Sequence, residues 1–296
     1  MNALRTPGAR FEDLPDYDFV ENYLDVDGLR MHYVDEGPRN GNVVLLLHGE
    51  PSWSYLYRFM IPPLRDAGLR VIAPDLIGFG KSDKPARKSD YSYAIHVAWM
   101  REFIDTLDLK DITLFCQDWG SLIGLRVAAE NEQQFARIAL GNGGLPTGDQ
   151  EMPRAFTVWR AFARYSPWFP IGKIIQKGTV TELSDEVVAA YDAPFPSARY
   201  KAGTRAFPGL VPVTPDDPAS DANREAWKIF AAWQKPFLTT FSNRDPITRG
   251  GEKPWQETVP GAKNREHVKI KNAGHFLQED KGPELAAVLT KFIRET

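Results

Sequence analysis

The run Ile112-Thr-Leu-Phe-Cys-Gln-Asp-Trp-Gly-Ser121 contains the clearest structural signal in this chain. Its first residues favour a β-strand, and the segment that follows, as far as Glu130, favours a helix. Small residues lie two positions before and two positions after Asp118, at Cys116 and Gly120. This pattern is typical of a nucleophile elbow, a tight strand-to-helix turn that exposes one side chain. We therefore expect Asp118 to stand at the apex of such a turn.

A carboxylate at this apex predicts a particular chemistry. An aspartate is ionised near neutral pH, so Asp118 needs no base to remove a proton before it attacks. It suits displacement at a saturated carbon and leaves an ester bond to the protein. An isolated Asp is more often a turn former, so this interpretation depends on the rest of the chain. Because no Ser occupies the apex, a serine esterase is not expected.

The composition limits the classes of function. With 296 residues, 43% of them hydrophobic, the chain can form one main domain with a substantial insertion. The net charge is only -3 and the basic residues are dispersed, so neither nucleic acid nor a membrane is expected as a partner. The single cysteine, Cys116, excludes an internal disulfide. Since no segment resembles a signal peptide or a membrane span, we expect a cytoplasmic protein, by default a monomer.

Strand-like and helix-like segments alternate on both sides of the elbow. A β-hairpin is expected around Asp27-Gly28, and helical spacing runs from Tyr93 to Leu107. The other expected elements are strands at Val43–Leu47, Arg70–Pro74, Ala136–Gly141, Phe237–Phe241 and Glu266–Ile270 and helices at Tyr57–Ala67 and Pro283–Ile293. This alternation is typical of an α/β fold with a mostly parallel sheet flanked by helices.

The alternation breaks in the middle of the chain, which becomes aromatic-rich and helical in pattern. We predict a core domain in two parts, residues 1–146 and 229–296, with an inserted helical cap at residues 147–228. The Pro-rich stretch from Pro208 to Asp221 is expected to be a mobile surface connection.

Two polar residues follow later strands, where open α/β sheets place their ligands. Asp118, Asp245 and His275 occur in the chain order nucleophile, acid, histidine that elbow-containing hydrolases use. In this interpretation His275 is the base, and Asp245 orients its ring and stabilises the imidazolium. The competing acids, Asp217 and Asp280, lie in contexts that indicate solvated side chains.

Hydrogen-bond donors for an anion are expected beside the elbow. His48-Gly49-Glu50-Pro51 follows the first long apolar strand, so the amides of Glu50 and Trp119 are predicted to form an oxyanion hole. The indole N–H of Trp119 can donate but never accept, which suits a weakly hydrated anion such as chloride, bromide or iodide. A buried tryptophan is otherwise more often a core residue.

At this point the chain resembles a known family, the haloalkane dehalogenases, which are α/β-hydrolases with a helical cap. The resemblance runs from about Tyr17 to the C-terminus. It rests on the motifs His48-Gly-Glu-Pro-Ser-Trp-Ser-Tyr-Leu-Tyr-Arg58, Asp75-Leu-Ile-Gly-Phe-Gly-Lys-Ser-Asp-Lys-Pro85, Gln117-Asp-Trp-Gly120, Phe156-Thr-Val-Trp159, Ala193-Pro-Phe-Pro196 and Arg205-Ala-Phe-Pro208. The Asp-Trp-Gly element is shared with epoxide hydrolases. The combination of Glu50 with the Phe-Thr-Val-Trp element is much more specific for the haloalkane dehalogenases.

The resemblance implies an α/β-hydrolase fold with an eight-stranded, mostly parallel sheet. It also implies hydrolysis of a small halogenated aliphatic substrate by water, through an ester on Asp118, to a primary alcohol, halide and a proton. The halide would be held by Trp119 and by a cap tryptophan, which by motif position is Trp159, with Trp168 as the nearby rival. No metal or organic cofactor is implied. The expected apolar pocket walls are Phe156, Phe207, Pro208, Val211 and Ile247.

Two other functions stay open. An epoxide hydrolase would use the same nucleophile but would need acids for the alkoxide, which Tyr165, Tyr191 or Tyr200 of the cap could supply. A noncatalytic binder of small apolar ligands would have no need for an acid that orients a histidine.

Overall fold

The computed structural model describes residues 2–296 and is built around a mixed sheet of eight strands. Residues 2–296 form ten strands, eight in this sheet and two in a separate pair. They are β1 (Ala3–Leu4), β2 (Asn22–Val26), β3 (Leu29–Glu36), β4 (Val43–Leu47), β5 (Arg70–Pro74), β6 (Lys84–Pro85), β7 (Ile112–Cys116), β8 (Phe135–Leu140), β9 (Phe237–Ser242) and β10 (Val268–Ile270). The sheet has the order β10-β9-β8-β7-β4-β5-β3-β2, and β1 pairs separately with β6. Only the pairs that involve β3 are antiparallel in the main sheet. The predicted mostly parallel, eight-stranded α/β fold is therefore confirmed.

Within residues 2–296, ten α-helices accompany the sheet. They are α1 (Ile61–Asp66), α2 (Tyr93–Thr106), α3 (Trp119–Glu130), α4 (Arg154–Tyr165), α5 (Ile171–Gly178), α6 (Asp185–Asp192), α7 (Ala202–Leu210), α8 (Ser220–Ala232), α9 (Glu252–Thr258) and α10 (Leu277–Arg294). Helices α4 to α8 all lie between β8 and β9, where the sequence predicts the cap. Among residues 2–296, no helix combines the length and the apolar character that a membrane crossing requires.

The burial of the central strands explains why they appear in the sequence as continuous apolar runs. Every residue of β4 and β7 is buried, because helices cover both faces of a parallel sheet. Cys116 ends β7 with its thiol fully buried, and this burial raises the pKa of the thiol. At the hairpin, Asp27 and Gly28 both adopt positive φ, of 53° and 73°, as a tight turn between β2 and β3 requires.

Two expectations about boundaries were wrong. The helix expected over 57–67 is only α1, because its residues Pro62 and Pro63 have no amide hydrogen to bond. Helix α10 has a break at Lys281, whose φ and ψ are -144° and 36°, and the part after this break agrees with the helix expected from Pro283 to Ile293. Pro208 is buried inside α7 and Asp221 belongs to α8, so the expected surface connection shrinks to the turns between these helices.

A buried ion pair joins the core to the cap region. Arg58, which follows β4, donates to both carboxylate oxygens of Glu279 in α10, at 2.7 and 2.5 Å. Tyr191 of α6 also donates its hydroxyl to Glu279. All three side chains are almost completely buried, so each charge depends on the other for stabilisation. The hydrogen bond from Tyr191 to this ion pair attaches α6 to the core domain.

Breaking this network should destabilise the protein strongly. The substitution Glu279→Ala leaves the Arg58 guanidinium buried without its anion, which should lower the free energy of unfolding by about 3–5 kcal/mol. Urea denaturation of the purified protein measures this change. Glu295→Ala is the control at the C-terminal end of the same helix, since Glu295 directly follows α10, is 61% exposed, and has its Lys291 partner 3.9 Å away. Equal, small changes in both variants would contradict a structural role for the buried pair.

Candidate active site

The turn after β7 has the geometry of an elbow. Asp118 has φ and ψ of 49° and -127°, a region that non-glycine residues rarely adopt. Its neighbours must be small: a Cβ atom at Gly120 would collide with the carbonyl group of Leu47, and one at Gly49 would collide with the Asp118 side chain. The close approach of two backbones therefore holds the Asp118 carboxyl at the end of β7.

Two groups face the Asp118 carboxylate from different parts of the chain. The backbone amide of Glu50 donates to Oδ1 at 2.7 Å. Nε2 of His275 lies 3.4 Å from Oδ2. One oxygen is thus held by an amide donor, and the other lies beside the imidazole. The structure brings together residues that the sequence separates by 68 and 157 positions.

His275 and Asp245 form a buried pair. Nδ1 of His275 lies 3.0 Å from Oδ2 of Asp245, and both side chains are at least nine-tenths buried. Burial lowers the pKa of His275, but the charge of Asp245 and hydrogen bonds to Asp118 and Asp245 outweigh it and raise the pKa to about 10. Burial raises the pKa of Asp245, yet the charge of His275 and the hydrogen bonds from His275, Thr248 and Ile247 hold it at about 2. The raised pKa therefore favours the protonated imidazole at neutral pH.

The loop that carries Asp245 is organised by the carboxylate itself. The amide of Ile247 donates to Oδ1 at 2.8 Å, and the amide of Thr248 donates to Oδ2 at 3.2 Å. The Thr248 hydroxyl donates to Oδ2 as well. Pro246 follows Asp245 directly, and the aspartate accepts hydrogen bonds from residues two and three positions later, as turn-forming aspartates do. The same contacts fix the carboxylate opposite His275.

Asn142, at the end of β8, is a site residue that the sequence reasoning missed. Its carbonyl accepts the amide of Asp118 at 3.1 Å. Its side-chain amide donates to the carbonyls of Gly274 and His275, at 2.9 and 3.0 Å, and its side-chain oxygen accepts the amide of Ser242 at 2.8 Å. Asn142 therefore joins the elbow, the end of β9 and the His275 loop. The only signal in the sequence was a polar residue directly after an apolar strand.

The two competing acids lie elsewhere. Asp217 is partly exposed and accepts the amide of Ala219 in a turn before α8. Asp280 is not simply solvated, as its context suggested: it accepts the amides of Gly274, Val180 and Thr181, at 2.8, 3.0 and 2.7 Å. It thereby supports the loop before His275 without contacting the imidazole.

A cavity of about 910 Å³ opens above the carboxylate. Its walls are mainly apolar and include four of the five pocket residues expected from the resemblance, namely Phe156, Pro208, Val211 and Ile247. The fifth expectation, Phe207, differs: its side chain is fully buried, and its ring packs against Trp119 with a centroid distance of 4.5 Å. Phe207 does not line the cavity, and its ring also packs against His96 of α2, with a centroid distance of 4.6 Å.

Both predicted indoles line this cavity, and so does the rival Trp168. Trp119 is almost fully buried beside Asp118, whereas Trp159 is partly buried in α4. Trp168 is 67% exposed, which places it at the opening rather than near the carboxylate. Position in the fold therefore favours Trp159 over Trp168 as the second donor to a bound anion.

The Glu50 side chain also reaches the cavity. Burial and the nearby charge of Asp118 raise its pKa well above the ordinary value, although the charge of His275 and the Trp159 indole oppose this.

Residues 2–296 contain no cluster of three or more His, Cys, Asp or Glu side chains with metal-binding geometry. None of the three cap tyrosines considered as acids lines the cavity: Tyr165 is 73% exposed, and Tyr191 is bound to Glu279.

Comparison with known proteins places this geometry in a family. A family model described as the alpha/beta hydrolase fold matches residues 42–282. A haloalkane dehalogenase of Psychrobacter cryohalolentis is 57% identical over 100% of this chain and 99% of its own. A haloalkane dehalogenase of Mycolicibacterium paratuberculosis is also 57% identical, over 97% of this chain and 96% of its own.

A solved structure agrees with these sequence matches. The haloalkane dehalogenase DpaA from Paraglaciecola agarilytica superposes with a TM-score of 0.92 and 36% identity, covering 97% of both chains. That structure is described as tetrameric, so the expectation of a monomer finds no support in it. The sequence resemblance to the family is confirmed.

Removing the Asp245 charge should lower the pKa of His275. In Asp245→Asn, burial is no longer offset by a full negative charge, so the ring should titrate at a lower pH than in the wild type. Titration of the imidazole followed by NMR measures this, with Asp217→Asn as the control. Because the folded pKa of about 10 exceeds the ordinary histidine pKa of 6.5, the associated stability is present below pH 6.5 and is lost as the pH rises toward 10. An unchanged midpoint in Asp245→Asn would contradict the pairing.

Proposed function

Since the chain belongs to the haloalkane dehalogenases, hydrolases that act on carbon–halide bonds, we propose that it works through an alkyl ester on Asp118. The observation that carries this proposal is the position of the Asp118 carboxylate. It lies at the base of an apolar cavity, with an amide donor on one oxygen and His275 beside the other. A small halogenated alkane is the substrate class that such walls fit.

In the first step, Asp118 displaces the halide. Oδ1 is held by the amide of Glu50, so Oδ2 attacks the carbon from the side opposite the halogen. The carbon–oxygen bond forms as the carbon–halogen bond breaks, and the electron pair leaves with the halide. The indole N–H groups of Trp119 and Trp159 stabilise the departing anion. No proton is needed for this departure.

In the second step, water cleaves the ester. Ester formation removes the charge of Asp118, which is one of the interactions that raise the pKa of His275. The imidazole then releases its proton to the solvent and becomes able to accept one from water. Asp245 stabilises the imidazolium that forms. The hydroxide attacks the ester carbonyl, and the amides of Glu50 and Trp119 hold the oxyanion. Its collapse breaks the bond between the carbonyl carbon and the alkyl oxygen, the proton of the added hydroxyl passes to that oxygen, and the alcohol leaves Asp118 as a carboxylate beside the protonated imidazole.

The chemistry of the site argues against the alternatives. An epoxide hydrolase must protonate an alkoxide, but no tyrosine lines the cavity in the part of the chain that the structure describes. A noncatalytic binder would not explain why Asp245 orients a buried histidine toward a carboxylate. Bromide release from 1-bromobutane, compared with diol formation from styrene oxide, separates the two enzymatic activities.

The proposal includes the arrangement of the chain. Residues 147–228 act as the cap that supplies Phe156, Trp159, Pro208 and Val211 to the cavity, and residues 1–146 and 229–296 supply the catalytic core. A cytoplasmic location remains a prediction. The proposed reaction uses side chains, backbone amides and water.

Replacing the base should trap the ester. In His275→Ala, Asp118 can still be alkylated but water is no longer activated, so turnover should fall by about 10²–10⁴-fold. After incubation with 1-bromobutane, mass spectrometry should find the mass of a butyl group on the peptide that contains Asp118. The double variant Asp118→Asn with His275→Ala is the control and should carry no adduct. An unmodified Asp118 peptide in His275→Ala would refute the covalent step.

The two cap indoles should differ in halide binding. Trp159→Phe removes a hydrogen-bond donor to an anion, worth about 1.5–3 kcal/mol, so the Kd for bromide should rise about tenfold or more. Fluorescence quenching of the remaining tryptophans by bromide measures the Kd. Trp168→Phe is the matched cap control and should bind bromide as the wild type does. Equal effects of both substitutions would remove Trp159 from the halide site.

A further inference from the structure

The mechanism uses the backbone of Glu50 but leaves its side chain without a task. This side chain is 4% exposed, and its Oε1 atom is buried without a hydrogen-bond partner. Burial of an unpaired acidic oxygen costs free energy, so such a group is rarely retained without a function. Glu50 also lines the cavity, so its buried carboxyl lies beside the space where the substrate reacts.

The surroundings of Glu50 determine which protonation state fits the cavity. Asp118 is the nearest negative charge, and its effect on Glu50 adds to that of burial. His275 provides the opposing positive charge, and the Trp159 indole, which lines the same cavity, is close enough to the carboxyl to oppose the rise of its pKa. The remaining ionisable groups that line the cavity are cations with exposed side chains at its opening, Lys173, Lys177, Arg244 and Arg249.

The Glu50 carboxyl and a bound halide can compete for the indole N–H of Trp159. The indole has one N–H, which can be donated to only one of them at a time. A carboxylate is a much stronger acceptor than a neutral carboxyl, because charge-assisted hydrogen bonds are roughly twice as strong. A carboxylate would also place a second negative charge beside Asp118 and beside the halide. The neutral form is the one that is compatible with an anion in the cavity.

We propose that Glu50 is a positioning residue that controls halide binding through Trp159: its neutral carboxyl leaves the indole N–H for the halide, whereas its carboxylate takes that N–H and repels the anion. This inference rests on the proposed function, since it assumes that Trp159 binds the halide. It assigns to the Glu50 side chain a function that is separate from that of its amide. The burial that raises the pKa of Glu50 then widens the pH range over which the halide site stays open.

The sign of the pH effect follows directly. Halide affinity is highest while Glu50 is protonated, and above its apparent pKa the Kd for bromide should rise about tenfold for each pH unit. His275 adds a second dependence of the same sign, because its deprotonation removes a positive charge. The two contributions can be separated only by changing Glu50 alone.

The experiment measures the Kd for bromide by tryptophan fluorescence quenching between about pH 6 and about pH 10. It compares the wild type with Glu50→Gln, a neutral side chain of the same shape that retains the backbone amide. Glu50→Asp is the second variant, because it keeps an ionisable group. Trp159→Phe, alone and combined with Glu50→Gln, tests whether the effect passes through the indole.

The expected result is a steep rise of the Kd with pH in the wild type and in Glu50→Asp, and a shallower rise in Glu50→Gln. This difference should disappear when Trp159 is Phe. Parallel curves for the wild type and Glu50→Gln, or an offset that is constant at every pH, would overturn the inference and leave Glu50 a structural residue. An absence of bromide binding to the wild type at every pH would instead reject the halide site on which the inference rests.

Discussion

The site depends on one set of hydrogen bonds, those made by Asn142 at the end of β8. Through its carbonyl it holds the amide of Asp118, and through its side chain it holds the ends of β9 and the His275 loop. These segments come from four separate parts of the chain, and a displacement of about 1 Å would break the contact between His275 and Asp118. The catalytic geometry therefore depends on adjacent strand ends, and the hydrogen bonds of Asn142 hold these ends in place relative to one another.

Electrostatics links the chemical steps to this support. Asp118, Asp245 and Glu50 are three acids around one imidazole, yet they occupy different environments. Asp245 is stabilised as an anion by His275 and by the loop amides, while burial favours the neutral form of Glu50. Because these acids favour different protonation states, one small cavity can contain a permanent carboxylate and also a binding site for the departing halide.

The sequence predicted the sheet and most of the site because those features depend on local patterns. Buried parallel strands appear as continuous apolar runs, and the elbow requires small residues at fixed spacing around Asp118. The sequence could not reveal Asn142, since a polar residue after a strand has many uses and its partners are distant in the chain. Phe207 was misplaced for a related reason: a residue on a cap helix can face the cavity or the core, and only packing against Trp119 decides between them.

The burial of Cys116 has a practical consequence. It is the only thiol of the chain, it lies at the end of a central strand, and its pKa is raised, so it should be inert to alkylating reagents in the folded protein. A cysteine introduced at the exposed Trp168 position would then be the single reactive thiol on the molecule. A fluorophore attached there would report, without background labelling, on the passage of ligands through the cavity opening.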